Sequence, residues 1–270
     1  MGRAARLTVL AIGVVALLLV GAWVFQEPLL RAFGINFDRG AASETELVLP
    51  DGYRANVFAE DLGRPRFMAV APDGTLFAAD LGGDRVVALP DADRDGVADE
   101  VIVVGAEYDR AHSVDFTPAG ELLVAGSSTL FRVQLDDERR EVTREAILSY
   151  VGYGQHSTRT IVVQPDGSLL VSVGSSCNVC WEDDEERATI IVAPPGGGDW
   201  RVLMRGLRNA VGVAVDPATD EVWATNNGRD LIGDDLPPET LYRVVDGADA
   251  GWPRCHAGSV IDPEFGDQPD

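Results

Sequence analysis

One turn recurs four times along this chain, and its spacing limits the folds open to it. Ala71-Pro-Asp-Gly74 precedes Leu76-Phe-Ala-Ala79, and Thr117-Pro-Ala-Gly120 precedes Leu122-Leu-Val-Ala125. Gln164-Pro-Asp-Gly167 precedes Leu169-Leu-Val-Ser172, and Asp216-Pro-Ala-Thr219 precedes Val222-Trp-Ala-Thr225. The turn prolines at 72, 118, 165 and 217 are 46, 47 and 52 residues apart. Proline presets φ at the first turn position and glycine accepts the positive φ that comes after it, so each turn joins two antiparallel strands. Apolar runs such as Phe67-Met-Ala-Val70 and Thr160-Ile-Val-Val163 stand before the turns. A third run comes later in each unit, at 85–89, 130–133, 189–192 and 241–244. Three or four short strands repeating every ~40–50 residues make the blade of a β-propeller. The spacing therefore predicts an all-β propeller over 49–270. Four units can be counted, and Leu49–Glu60 reads as the strand that would pair the first blade with the last.

The flanks carry other signals. Arg3 and Arg6 precede an uncharged run from Leu7 to Phe25, close to the ~20 residues that cross a bilayer. Residues 1–25 are expected to be a signal peptide or transmembrane anchor, and 26–48 a juxtamembrane linker. Arginines before the run place the chain beyond it outside the cytoplasm, in the periplasm or at the cell surface. The net charge of −22, from 44 acidic and 22 basic residues, repels phosphate backbones and argues against nucleic acid as a partner. Cys177, Cys180 and Cys255 are the only cysteines. Cys177-Asn-Val-Cys180 could be a redox or zinc pair, but zinc wants about four ligands, and a loop-closing disulfide fits an exported chain better. Asp91, Asp93, Asp95 and Asp99 around Gly96 match the first half of an EF-hand loop. Its twelfth position is Ile102 rather than a bidentate Glu, so a second, structural calcium there competes with a solvated turn.

Three ordered stretches then stand out. The first is Gly154-Gln-His-Ser-Thr-Arg159, running through Pro165-Asp-Gly167 to Ser172-Val-Gly-Ser-Ser-Cys-Asn-Val-Cys180. The second is Gly206-Leu-Arg-Asn209 with Val211-Gly-Val-Ala214 after it. The third is Thr225-Asn-Asn-Gly-Arg-Asp230, then Asp234–Glu239 and Gly251-Trp-Pro-Arg-Cys255. Together they resemble the glucose/sorbosone dehydrogenases, six-bladed propellers that depend on pyrroloquinoline quinone (PQQ) and calcium. The resemblance implies that about four of six blades are present and that the C-terminal blades are missing.

It further implies that His156 is the general base and that Arg208 stands near the quinone carbonyl that accepts hydride. Arg159, Arg208, Asn209 and Asn227 would line the cofactor. The carbonyls of Gly228 and Arg229, with Asp230, would hold calcium. Sugar oxidation needs a base for the hydroxyl proton, and a neutral imidazole supplies one near pH 7. A fixed guanidinium and a divalent ion stabilise charge developing on the acceptor oxygen. The implied activity is oxidation of an aldose or sorbosone-like sugar to lactone or acid, with electrons passed to a respiratory or soluble acceptor. This chain departs from the family at Glu239-Thr-Leu-Tyr242, near the calcium loop. His112 begins the second unit at a place comparable to His156, and a structural role is expected for it. Two other readings remain open: a calcium-dependent lactonase, and a non-catalytic extracytoplasmic binding module.

Overall fold

In the computed structural model the described residues are 47–267. The expected anchor at 1–25 and all but the last two residues of the linker lie outside them. Among the described residues no helix is long and apolar enough to cross a membrane.

The described residues form two compact units, 47–60 with Asp91–Asp99, and Asp61–Pro90 with 100–267. The larger unit is built of antiparallel sheets. The first comprises β1 (Pro65–Val70), β2 (Leu76–Asp80), β3 (Arg85–Leu89) and β4 (Ile102–Ala106), paired in that order. The second comprises β5 (Ser113–Phe116), β6 (Leu122–Ala125), β7 (Thr129–Leu135) and β8 (Glu141–Ser149). The third comprises β9 (Ile161–Val163), β10 (Leu169–Val173), β11 (Thr189–Ala193) and β12 (Arg201–Met204). The fourth has three strands, β13 (Val213–Val215), β14 (Val222–Asn226) and β15 (Thr240–Arg243), and a hairpin of β16 (Cys255–His256) and β17 (Val260–Ile261) comes after it.

Each sheet is a blade. The first strands lie side by side, β1 against β5, β5 against β9 and β9 against β13. Side chains complete the otherwise open edge of β9. Ser113 Oγ accepts the Ile161 N–H at 2.8 Å, Asp115 Oδ2 accepts the Val163 N–H at 2.8 Å, and Thr160 Oγ1 donates to the Val211 carbonyl at 2.6 Å. Buried strand donors left unpaired would be costly, and these bonds remove that cost. Second strands are apolar on both faces because a blade packs on each side of them. Leu122–Ala125 and Leu169–Val173 are buried throughout. Separate apolar clusters fill the seams: Phe77, Val86 and Leu122 between the first two blades, Leu123, Ile161 and Ile191 between the next two, and Leu170, Leu207 and Ala224 in the last.

The repeated turns form as expected. Gly120 and Gly167 have φ of 85° and 84°, and their N–H groups donate to Thr117 and Gln164 carbonyls, each at 2.8 Å. In the fourth turn the left-handed residue is Asp220, at φ 57°, one residue after the position glycine takes elsewhere; aspartate tolerates that region better than most side chains. The fourth strands β4, β8 and β12 complete blades for which the sequence had shown three runs. One expectation fails. Leu49–Glu60 is in no strand. In the smaller unit it lies instead along the aspartate loop, where the Ala98 N–H donates to the Phe58 carbonyl (2.8 Å) and Asn56 Nδ2 to the Gly96 carbonyl (2.6 Å).

Candidate functional site

Past β10 the chain continues through Gly174-Ser-Ser176 and runs beside the loop that leads into β9. The Gln155 and His156 N–H groups donate to the Ser176 and Ser175 carbonyls at 2.9 and 3.2 Å. A Cβ on Gly174 would stand 2.5 Å from His156 Cβ and 2.8 Å from Asn209 Oδ1. Glycine there is what lets these two side chains share one place.

The His156 ring is held through Nδ1, 3.1 Å from the Ser175 carbonyl and 2.9 Å from Ser175 Oγ. The carbonyl can only accept, and the Ser175 hydroxyl donates to the Cys177 carbonyl at 2.6 Å. Nδ1 therefore carries the proton, and Nε2 keeps its lone pair. Burial, then the Arg208 charge, lowers the pKa to about 4. At neutral pH His156 is an uncharged, half-buried imidazole whose basic nitrogen bonds to no described residue.

Arg208 is close enough for its charge to act on that ring, and it is buried, 3% exposed. Its Nε donates to the Asn178 carbonyl (2.9 Å) and Nη1 to the Asn227 carbonyl (3.3 Å). Nη2 reaches Asn178 Oδ1 (2.9 Å) and Asp230 Oδ2 (2.7 Å). Burial lowers its pKa and Asp230 opposes the shift; a guanidinium so paired stays charged. Asn209 is locked by its backbone, its N–H on Asn226 Oδ1 (3.1 Å) and its carbonyl accepting the Asn227 N–H (3.0 Å). The loop after β14 is fixed from both sides. Glu239 Oε2 accepts the Gly228 N–H at 2.7 Å, so the Glu that opens the Glu239-Thr-Leu-Tyr242 stretch supports this loop. Arg229 points its guanidinium into the C-terminal tail, pairing with buried Asp262 and with Glu264. Asp262 also accepts from His256 Nε2 at 2.8 Å, a latch with no signal in the sequence. Among the described residues no backbone N–H donates to the Gly228 or Arg229 carbonyl.

The structure thus gathers His156, Arg208, Asn209, Asn227 and Asp230, and it corrects other assignments. Arg159 is fully buried at 0% exposure, its guanidinium bonded to the His156, Thr158 and Val151 carbonyls. It shapes the loop under His156 and has no surface to offer a cofactor. Asp230 Oδ2 is engaged by Arg208, which leaves one carboxylate oxygen for a cation. In the smaller unit, Asp91, Asp93 and Asp95 bring ligand atoms within 4.8 Å of one another. Asp99 does not join them; its Oδ2 closes the loop on the Ala92 N–H at 2.7 Å. Cys177 and Cys180 are joined in a disulfide, and Cys255 is free.

A signal in the sequence locates the site better than the start of each unit does. His156 stands nine residues before Pro165, and Arg208 nine before Pro217. Asp109 stands at the same count before Pro118, but its backbone there is left-handed at φ 58°. His112 stands six before its proline, in register with Arg159. Accordingly it is buried, 1% exposed, with Nδ1 on the Arg159 carbonyl at 2.7 Å. Burial, outweighing that bond, lowers its pKa to about 4. The functional residues missed were Ser175, Asn178 and Glu239, all loop residues outside the repeat.

The TrAA12-like family model matches residues 47–238. An uncharacterised protein of Borreliella burgdorferi is 22% identical over 217 residues, covering 74% of this chain and 54% of that protein, so the chain spans about half the relative's length. The holo form of the pyranose dehydrogenase PQQ domain from Coprinopsis cinerea is similar with a TM-score of 0.70 at 23% identity, over 86% of this chain and 64% of that one. A Trichoderma reesei Carbohydrate-Active Enzymes Family AA12 structure has a TM-score of 0.69 at 19% identity, over 85% and 66%. The PQQ-bound aldose sugar dehydrogenase of Streptomyces coelicolor has 0.59 at 18%, over 76% and 68%. At these identities the likeness to solved structures is one of fold.

Proposed function

The chain belongs to the TrAA12-like family, and from that premise we propose that it binds PQQ with calcium and oxidises a pyranose or related aldose. The residues present fit such a cofactor. Arg208 and Arg187 act on the His156 ring, and Arg66, Arg159 and Arg110 act on His112. In a chain of net charge −22, Arg208 beside the His156 ring and exposed Arg110 beside Ser157 offer the guanidinium charge an anionic ligand requires. Arg110, exposed and donating to Ser157 Oγ at 3.1 Å beside His156, takes the carboxylate-pairing role that buried Arg159 cannot. The open carbonyls of Gly228 and Arg229 suit a hard cation.

When bound, the quinone supplies the hydride acceptor that no protein side chain offers. His156 Nε2 takes the proton from the sugar hydroxyl, and the Nδ1–H bond to Ser175 keeps the ring in the required tautomer and direction. Arg208, already paired and buried, holds its charge without reorganising. The observation that carries this reading is the neutral, Nδ1-protonated His156 with a free Nε2 beside a fixed guanidinium.

The test is cofactor titration by quinone absorbance, then dye reduction with aldoses, on wild type and His156→Gln. Wild type should bind and turn over, and the variant should bind but fail to turn over. Equal turnover by both, or lactone hydrolysis without PQQ, would end the proposal. We also propose that Leu7–Phe25 anchors the chain with its propeller outside the cytoplasm. Protection of the propeller from protease added to intact spheroplasts would refute that.

A further inference from the structure

We propose that Asn178, held in the loop closed by the Cys177–Cys180 disulfide, is a positioning residue for Arg208; the inference rests on the proposed role of Arg208 in serving the cofactor. Asn178 bonds through its carbonyl, its side-chain oxygen and its side-chain nitrogen. Its carbonyl accepts from Arg208 Nε (2.9 Å) and Trp252 Nε1 (3.2 Å). Its Oδ1 accepts from Arg208 Nη2 (2.9 Å) and the Asp230 N–H (2.9 Å). Its Nδ2 donates to the Asp230 carbonyl at 3.1 Å.

Those partners come from chain segments far apart in sequence, and one residue joins them. An amide is the side chain this needs: one end must accept two N–H groups while the other donates to a carbonyl. A carboxylate would keep the acceptor and lose the donor. A hydrocarbon would leave buried guanidinium protons unmet, which is costly. The loop is polar and short, with no strand to hold it, and the disulfide across three residues restricts what it can sample. The same stretch holds His156 at its other end, since the Ser175 hydroxyl that accepts from His156 Nδ1 donates to the Cys177 carbonyl. Gly174–Cys180 therefore sets the base and the cation from a single piece of backbone. Errors near 1 Å in such placement cost about a hundredfold in rate, so the loop acts on chemistry without touching substrate.

The test tracks the Arg208 guanidinium signals in 15N-arginine-labelled full chain without cofactor, identified by their loss in Arg208→Lys. In Asn178→Ala their exchange with water should quicken at least tenfold, and Asn178→Asp, which keeps the acceptor, should restore near-wild-type exchange. With PQQ and calcium, Asn178→Ala should lower kcat about 10–100-fold while the sugar KM stays within about twofold. If Asn178→Ala does not fold, the Cys177→Ser/Cys180→Ser double variant should show the same faster exchange. Unchanged Arg208 exchange in whichever of these folds overturns the proposal. Wild type that never turns over sugar would retire the functional reading instead, and the exchange result would still decide the role of Asn178.

Discussion

Two histidines in neighbouring blades show how a few residues of offset separate structure from chemistry. His112 and His156 both donate from Nδ1 to a carbonyl, and burial holds both near pKa 4. His112 directly precedes β5 and extends its ladder, its N–H on the Ala125 carbonyl at 3.0 Å, and its Nε2 is buried without a partner. His156 is three residues further from its turn proline, on the loop above the strand, where Nε2 stays accessible and Arg208 stands near. The ladder position makes an imidazole into packing, and the loop position leaves Nε2 open for the base role proposed above.

Substitutions at the two positions put that contrast at risk. The largest effect is expected for His156→Gln, which should lower turnover about 10²–10⁴-fold with little change in melting temperature. His112→Ala should do the reverse: a loss of about 2–4 kcal/mol in urea unfolding, from the cavity left among packed side chains, with activity per folded molecule retained. Equal losses of activity from both would erase the distinction.

Acid should act on both sites alike. Each histidine binds its proton more weakly folded than unfolded, so the unfolded chain takes up more protons between about pH 6.5 and 4. Stability should thus fall as pH drops through that window, by up to about 1.4 kcal/mol per pH unit for each fully buried imidazole. His112→Ala should flatten the slope measured by chemical denaturation. The acid limb of kcat/KM should lie near pH 4 and stay there in that variant. The smallest effect is expected for Ser175→Ala. The carbonyl still fixes the His156 tautomer, so turnover should drop only about tenfold or less.

The same division separates what the sequence makes legible from what it hides. Turn chemistry repeats, because proline and glycine are needed wherever the chain reverses, and so the first three strands of each blade can be read. The outer strand β8, Glu-Val-Thr-Arg-Glu-Ala-Ile-Leu-Ser, is half solvated, and its apolar part is only Ala146-Ile-Leu148. His156, Arg208 and Asn209 emerge by resemblance, but Arg159 is misassigned because burial cannot be read from a motif. The fourth turn hides its left-handed residue in Asp220, since the loop there is one residue longer. Glu239, Asn178 and the Asp262 latch act between loops distant in the chain, and no local pattern announces such partners.

The chemistry proposed for this site depends on His156 being a neutral base whose Nε2 is open. Two-bond 1H–15N correlation spectra of the histidine rings across pH 3.5 to 8 read tautomer and charge together. The Nδ1–H form, uncharged down to about pH 5, is the predicted result; an imidazole protonated at Nε2, or one titrating near 6.5, would contradict it.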